Sequence, residues 1–187
     1  MKKIPSLFKR DYEGTHLVYD EVVEGCEWVL NGEGVATQKY DGTACMIKGG
    51  VLFKRYDVKA GRTPPSGAIP CEEQPTGHNK HWPHWVPASK DDPADRWFFE
   101  VDTWDLPDGT YELIGEKVNG NNERITGHRL IRHGEERFYF APRTFNELKT
   151  WLESRDIEGI VWHHPDGRMA KIKKKDFGLP RKPQNNG

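Results

Sequence analysis

Short strand-like runs joined by glycine turns constrain the fold of this 187-residue chain most strongly. Gly49-Gly50 joins the runs Thr43–Lys48 and Val51–Arg55, and both glycines tolerate the positive φ that a two-residue hairpin requires. Three further turns read Asp41-Gly42, Pro107-Asp108-Gly109 and Pro165-Asp166-Gly167. Because consecutive strands joined by tight turns pair antiparallel, the pattern predicts an α+β fold of antiparallel β-sheets with few flanking helices.

The remaining periodic segments predict further strands and one helix. In Thr144–Arg155, the apolar residues Phe145, Leu148, Trp151 and Leu152 recur at helical spacing. Thr144 and Glu147 have the spacing of a capping box, so a helix packed on a sheet is expected here. The predicted strands are Val35–Lys39, Arg96–Asp102, Tyr111–Glu116, Arg129–His133, Arg137–Ala141, Gly159–His163 and Met169–Lys174.

Residues 59–95 predict a long loop, because seven of the 13 prolines lie there and proline lacks the N–H that a central strand donates. Loops of this length are usually functional or mobile. Trp82 and Trp85 favour a substrate-binding loop that stacks on nucleic-acid bases, and an ordered loop covering the core is the alternative. The chain is therefore expected to be a single domain, residues 1–187, with this loop and a short C-terminal tail.

The same loop contains four side chains of types that bind zinc. Their spacing matches no zinc signature, so a zinc-dependent binding module stays a minor alternative. These residues are Cys71, His78, His81 and His84.

Composition narrows the class of protein. Lys and Arg number 28 against 29 Asp and Glu, which excludes a wholly cationic nucleic-acid coat but leaves room for a local basic patch. No apolar run approaches the roughly 18 residues of a membrane span, and the basic start lacks the apolar region of a secretory signal. Three scattered cysteines indicate a reducing compartment. We expect a cytoplasmic protein, bacterial or from a phage-infected cell, with no membrane contact and no obligate protein partner.

Five charged motifs stand out, although each alone also fits a solvent-exposed strand end. Glu112 has apolar neighbours, and burying a lone carboxylate is costly. Lys171 and Lys173 share one strand face, where two lysines repel unless an anion lies between them. In chain order the motifs are Lys39-Tyr40-Asp41-Gly42, Phe53-Lys54-Arg55, Tyr111–Gly115, Glu158–Trp162 and Lys171-Ile172-Lys173. Hairpin geometry is expected to bring Arg55 near Lys39.

This order resembles motifs I, Ia, III, IV and V of the covalent nucleotidyltransferases, which include ATP-dependent RNA and DNA ligases and mRNA capping enzymes. The resemblance spans Gln38–Lys173, most of the chain. The stretches YELIGEKVNGN, HRLIRHG and EGIVWHHPDGRMAKIK are most similar to small RNA ligases, including those related to the vertebrate RNA ligase. The resemblance implies a nucleotidyltransferase (ATP-grasp-like) domain. Because little sequence follows Lys173, no OB domain is expected, which favours a minimal RNA ligase.

The resemblance also assigns catalytic roles to four residues and a metal to a fifth. Lys39 is expected to be the nucleophile that takes AMP from ATP, and Asp41 to order its loop and the water shell of the metal. Lys171 and Lys173 are expected to hold the phosphates. Glu158 is expected to help bind Mg²⁺ or Mn²⁺, which needs few protein carboxylates beside phosphate oxygens.

The other assignments concern the nucleotide. Gln38 is expected at the adenine edge, Arg55 with Lys54 at the phosphates, and Glu112 at the ribose hydroxyls. His133 is expected to stack on the base, with Phe138 and Phe140 as rivals.

The chemistry is consistent with this set, because a nucleophilic lysine must be uncharged and nearby cations disfavour its protonated form. The expected reaction joins the 5′-phosphate and 3′-hydroxyl ends of RNA through a lysyl-AMP intermediate. A minimal DNA ligase or another polynucleotide adenylyltransferase is the nearest alternative. A non-catalytic nucleic-acid-binding module is the alternative of another class.

Overall fold

The computed structural model describes residues 1–77 and 80–183. The chain forms two compact units. The first unit contains Met1–Lys3 and Asp41–His133, and the second unit contains Ile4–Tyr40 and Gly134–Gly187. Antiparallel sheets with few helices dominate both units, which confirms the predicted α+β class.

The strands and helices are given in chain order. The strands are β1 (Phe8–Arg10), β2 (Val18–Val22), β3 (Val35–Lys39), β4 (Thr43–Lys48), β5 (Val51–Val58), β6 (Ile69–Pro70), β7 (Trp82–Pro87), β8 (Gly109–Gly115), β9 (His128–Arg132), β10 (Arg137–Phe138), β11 (Gly159–His163) and β12 (Met169–Lys173). The α-helices are α1 (Glu27–Leu30) and α2 (Phe145–Glu153), and the 3-10 helices are Pro93–Glu100 and Lys174–Phe177. No helix in the described ranges has the length and apolarity needed to cross a bilayer.

The first unit is built on a six-stranded sheet in the order β6-β7-β5-β4-β8-β9. Gly49 and Gly50 connect β4 to β5 with φ of 57° and 75°, so the predicted hairpin is confirmed. One face of the sheet is buried in a core that includes Cys45, Tyr111 and Leu113.

The prediction that no inner strand lies in residues 59–95 is wrong, because β7 lies between β6 and β5. The prolines of β7 occupy alternate positions, 83 and 87. Pro83 accepts a hydrogen bond from the Cys71 N–H, so this side of β7 faces the short strand β6. Since the backbone groups of alternate residues point to the same side, the missing proline donors do not weaken the pairing of β7 with β5.

The predicted strand Arg96–Asp102 is also wrong, since most of it is a 3-10 helix. Asp92 caps this helix by accepting a hydrogen bond from the Ala94 N–H at 2.9 Å, and Pro93 follows at the first helical position. These start signals outweigh the strand preference of the aromatic residues, and β8 pairs with β4 and β9 instead.

The second unit has a four-stranded sheet in the order β10-β3-β11-β12 and a two-stranded sheet of β1 and β2. Ile160, Trp162 and Ile172 are fully buried in its core with Leu148 and Leu152 of α2. The predicted helix is thus confirmed, although shorter at its end, and the β11–β12 hairpin is confirmed.

The Asp41-Gly42 turn does not close a hairpin. Strand β3 pairs with β10 and β11 in the second unit, whereas β4 pairs with β5 and β8 in the first. The hairpin that we expected to link Lys39 to the Phe53–Arg55 strand end is therefore wrong. A two-residue turn signal does not reveal whether the next strand pairs with the preceding one or belongs to another sheet.

Candidate active site

Three lysines of the second unit lie on one face of its four-stranded sheet. In the register of β3, β11 and β12, Lys39 and Lys173 are both paired with Gly159, and Lys171 is paired with Val161. Directly paired residues have their side chains on the same face. Ile160 of β11 and Ile172 of β12, which alternate with these positions, face the apolar core. Antiparallel pairing therefore gathers Lys39, Lys171 and Lys173 from distant parts of the sequence.

Gly159 is the residue between two of these lysines. A Cβ added there would lie 2.1 Å from the backbone oxygen of Ile172 and 2.8 Å from the Cα of Lys173, so no side chain fits. The glycine of the Glu158-Gly159 motif is thus required by the close approach of β11 and β12. It also leaves no side chain between Lys39 and Lys173.

Lys39 donates a hydrogen bond to the Glu158 carboxylate, with 2.9 Å between Nζ and Oε2. Both side chains are 22% exposed, so the pair is neither deeply buried nor fully solvated. Glu158 is the residue before β11. The predicted nucleophile and the predicted metal ligand are therefore in direct contact.

The surroundings of Lys171 disfavour its charged form. Burial lowers the pKa of Lys171, and the positive charges of Lys173 and Lys39 lower it further. Asp176 and Glu158 oppose this effect with smaller contributions. An anion bound at this face would relieve the repulsion, so the lysine cluster has the charge of a phosphate-binding site.

A carboxylate that the sequence analysis missed supports the end of β12. Asp176 accepts a hydrogen bond from the Lys173 N–H at 2.8 Å and pairs with Arg10 at 2.5 Å. Lys174 is buried, and its ammonium donates to the carbonyls of Arg155 and Arg181. No local pattern in the sequence signals these contacts, since the partners are up to 166 residues apart.

In the first unit, the carboxylate of Asp41 is held by two amide side chains. Asn119 donates to one oxygen at 2.9 Å and Asn122 to the other at 2.6 Å. The Asp41 N–H in turn donates to Glu123 at 2.8 Å. Asp41 is thus bound through its backbone and its side chain to the loop that follows β8. The sequence analysis assigned no role to Asn119, Asn122 or Glu123.

Gly42, which follows Asp41 in the first motif, is sterically required. A Cβ added to Gly42 would lie 2.2 Å from the Leu113 oxygen and 2.8 Å from Glu112 Cγ. Asn119 also donates to the Gly42 oxygen at 2.9 Å while adopting a φ of 47°. Asparagine tolerates this left-handed conformation better than most residues, so the loop can hold both residues.

Glu112 and His133 form a hydrogen-bonded pair in the first unit. His133 Nε2 lies 2.6 Å from the Glu112 carboxylate, and Nδ1 lies 2.9 Å from the Thr110 hydroxyl. Both ring nitrogens of His133 are therefore engaged by side chains of β8. This geometry gives the histidine a polar partner, which the prediction of base stacking did not include. Of its rivals, Phe138 packs edge-on against Trp151, and Phe140 is 96% exposed.

The two cations of the motif Ia strand end lie on different faces of the first unit's sheet. Arg55 donates to the Met1 carbonyl at 2.9 Å and pairs with Asp57 at 3.3 Å. Lys54 instead pairs with the buried Asp95 at 2.7 Å, and this pairing raises the pKa of Lys54 although burial alone would lower it. The predicted part of Lys54 in nucleotide binding has no support in this geometry.

Gln38 does not share the strand face of Lys39. It is paired with Ile160, whose side chain lies in the apolar core. Alternation along β3 therefore directs Gln38 to the face opposite to Lys39 and Thr37. The predicted adenine contact of Gln38 has no support from this arrangement.

Zinc-type ligands do not cluster in the described part of the chain. Residues 1–77 and 80–183 contain no group of three or more His, Cys, Asp or Glu side chains placed to hold a metal. His84 is buried with Nδ1 at 2.9 Å from the Trp82 oxygen, and the Cys71 N–H donates to Pro83. His78 lies outside the described residues. Glu158 supplies a single carboxylate. This suits Mg²⁺, which keeps several waters and needs few protein ligands, better than an ion that is bound by protein side chains alone.

Comparisons with known proteins place part of the chain in a family of RNA ligases. The family model described as RNA ligase 1 matches residues 90–186. That range includes Glu112, His133, Glu158, Lys171 and Lys173, whereas Lys39 lies before it.

Individual relatives carry the same description. RNA ligase 1 of Pongo abelii is 29% identical over 136 residues, covering 54% of this chain and 42% of that protein. RNA ligase 1 of Danio rerio is 37% identical over 84 residues, covering 40% of this chain and 26% of that protein. RNA ligase 1 of Mus musculus is 30% identical over 136 residues, and the chain spans 42% of its length. With just over half of its residues matched by the family model, the chain belongs to the RNA ligase 1 family.

Proposed function

We propose that this protein is an ATP-dependent RNA ligase that joins 5′-phosphate and 3′-hydroxyl RNA ends through an AMP adduct on Lys39. Membership of the RNA ligase 1 family supports the ligase class and the RNA substrate. The observation that carries the proposal is the position of Lys39. Its amine contacts Glu158 and lies on the same sheet face as Lys171 and Lys173.

In the first step of the proposed reaction, the Lys39 nitrogen attacks the α-phosphorus of ATP. The P–N bond forms, the bond to the bridging oxygen of the β-phosphate breaks, and pyrophosphate leaves while the amine loses its proton. Lys171 and Lys173 stabilise the negative charge of the reacting phosphates. Phosphoryl-type transfer depends mostly on positioning and electrostatic stabilisation, which a cluster of fixed cations supplies.

In the second step, the RNA 5′-phosphate takes the AMP and frees Lys39. In the third step, a 3′-hydroxyl attacks the activated phosphate, the phosphodiester bond forms, and AMP leaves. Mg²⁺ or Mn²⁺, held by Glu158 together with phosphate oxygens, would supply charge neutralisation at the phosphates. Asp41, Arg55 and Glu112 enter this proposal through the family resemblance.

The test is the formation of the adduct. Wild-type protein is incubated with ATP labelled at the α-phosphate, beside Lys39→Ala and Lys39→Arg. Lys149→Ala, which changes an exposed lysine of α2 in the same unit, is the matched control. Wild type and Lys149→Ala are expected to retain the label through denaturation, and both Lys39 variants to lose it. Equal labelling of Lys39→Ala would refute the nucleophile.

The acceptor is tested separately. Nicked RNA, nicked DNA and single-stranded RNA with a 5′-phosphate are offered to the adenylylated protein. We expect joining of RNA. Efficient joining of nicked DNA alone would favour the minimal DNA ligase, and binding of RNA without adduct or joining would favour the non-catalytic module.

A further inference from the structure

Two neighbouring hollows on the first unit share the turn that follows β5. Lys59 and Arg62 line both hollows, and the Arg62 N–H donates to the Lys59 oxygen across the turn at 3.0 Å. Lys80 and Trp82 complete the first hollow, and Arg55, Tyr56 and Asp57 line the second. The turn thus presents its two cations to both hollows.

The charge of this surface is one-sided. Among the residues that the structure describes, the lining of the first hollow contains Lys59, Arg62 and Lys80 and no carboxylate. The second hollow contains one carboxylate, Asp57, which already pairs with Arg55. Within residues 1–77 and 80–183, Lys59, Arg62 and Lys80 form no ion pair. Three cations without counter-charges are therefore gathered in a protein whose net charge is only -1.

Two aromatic residues border these cations in different ways. Trp82 is fixed, because its indole N–H donates to the Glu72 oxygen at 2.8 Å and its ring packs edge-on against His84. Tyr56 is 43% exposed in the second hollow, so its ring can contact a ligand. Unpaired cations beside an exposed aromatic ring are the combination with which proteins hold single-stranded nucleic acid.

We propose that these hollows bind the phosphate backbone of a single RNA strand, with Lys59, Arg62 and Lys80 contacting phosphates and Tyr56 stacking on a base. This inference rests on the proposed function, for which it supplies a substrate-binding surface. It assigns stacking to Tyr56 rather than to Trp82 and Trp85, because Trp85 is buried and Trp82 is less exposed than Tyr56.

The experiment measures binding of a short fluorescein-labelled, 5′-phosphorylated single-stranded RNA by fluorescence anisotropy over a range of salt concentrations. The test variant is the triple substitution Lys59→Gln, Arg62→Gln and Lys80→Gln. The matched control replaces three exposed lysines of the same unit with the same loss of charge, as Lys48→Gln, Lys90→Gln and Lys117→Gln. Tyr56→Ala tests the aromatic contact.

Losing three phosphate contacts lowers the slope of log affinity against log salt by about 2, since each contact to a single strand contributes about 0.7. The triple variant is therefore expected to bind RNA at least tenfold more weakly at low salt, and the control to keep the wild-type slope. Tyr56→Ala is expected to weaken binding about 5- to 150-fold, the range for one base stack.

An unchanged slope and affinity in the triple variant would overturn the inference. So would weaker binding of inorganic phosphate by calorimetry with unchanged RNA binding, because the hollows would then hold a small anion only. Labelling by ATP keeps the two proposals apart. The triple variant is expected to form the adduct like wild type, whereas a failure of the proposed function abolishes the adduct in every protein of the set.

Discussion

Lys171 is expected to bind phosphate in the reaction while its charge lowers the stability of the fold. Its pKa is lowered by burial and by the charges of Lys173 and Lys39, so the folded protein binds this proton more weakly than the unfolded chain. The charged form therefore destabilises the fold at neutral pH. As pH rises from the lowered pKa towards 10.5, the unfolded chain holds more protons and the stability contributed by Lys171 increases.

Lys171→Met removes this partly buried charge while keeping an unbranched side chain. The thermal midpoint at neutral pH is expected to rise by about 2–4 °C, the change that about 1 kcal/mol produces in a chain of this size. Labelling by ATP is expected to fall about 10²- to 10³-fold, as when one stabilising contact to a reacting group is lost. Differential scanning calorimetry and adduct formation are measured together, with Lys149→Met as the control. A lower midpoint with unchanged labelling would contradict this interpretation of Lys171.

His133 can be tested as a hydrogen-bond partner against its predicted role as a stacking residue. His133→Gln keeps a side-chain donor for Glu112, whereas His133→Phe keeps only an aromatic face. Because Nε2 lies 2.6 Å from the carboxylate, we expect His133→Gln to retain most of the activity and His133→Phe to lose it. The rate of adduct formation and its KM for ATP are measured for both variants. Retained activity in His133→Phe and loss in His133→Gln would instead favour stacking.

At the scale of elements, the close pairing of β11 with β12 depends on Gly159. Gly159→Ala places a methyl group 2.1 Å from the Ile172 oxygen and is expected to cost about 3 kcal/mol in the free energy of unfolding. A Cβ added to Gly167, in the β11–β12 turn, meets nothing within 4 Å. Gly167→Ala is therefore expected to cost only the strain of the φ of 95°, about 1 kcal/mol in the free energy of unfolding. Urea unfolding of both variants provides the comparison. Equal costs would contradict the crowding inferred at Gly159, because its φ lies outside the left-handed region.

Local signals predicted some elements well and others badly, for identifiable reasons. The Gly49-Gly50 hairpin and the helix after Thr144 depend on neighbours in sequence, and both are present. The sequence analysis did not predict β7. Whether Pro83 and Pro87 disturb the sheet depends on which strand pairs with each side of β7, and the sequence does not show this. In Pro93–Glu100 the aromatic residues favour a strand, whereas the cap at Asp92 starts a 3-10 helix. The sequence analysis followed the aromatic residues and therefore predicted the wrong element.

For the whole molecule, the order of motifs in the sequence predicted the composition of the lysine cluster but not its support. Lys39, Glu158, Lys171 and Lys173 were expected together, and strand register and one ion pair bring them together in the second unit. The contacts made by Asp176, Asn119 and Asn122 could not be predicted, since they connect side chains with no shared periodicity.

The cysteines provide separate probes of the two units. Burial and the charge of Glu112 raise the pKa of Cys45, in the first unit, to about 12. Burial raises the pKa of Cys26, in the second unit, and Cys71 is half-buried. Because the thiolate is the reactive form, a disulfide reagent at pH 8 is expected to modify Cys71 alone in native protein, and Cys45 and Cys26 only as urea unfolds their units. Rapid modification of Cys45 or Cys26 without urea would contradict these two cores.

The central claim concerns the chemical fate of one amine, and peptide mapping tests it directly. Wild-type protein is incubated with ATP and Mg²⁺, digested under conditions that preserve the phosphoramidate bond between lysine and AMP, and analysed by mass spectrometry. We predict a single AMP group on the peptide that contains Lys39, with release of an equal amount of pyrophosphate. AMP on another lysine, or protein that hydrolyses ATP without retaining AMP, would contradict the account.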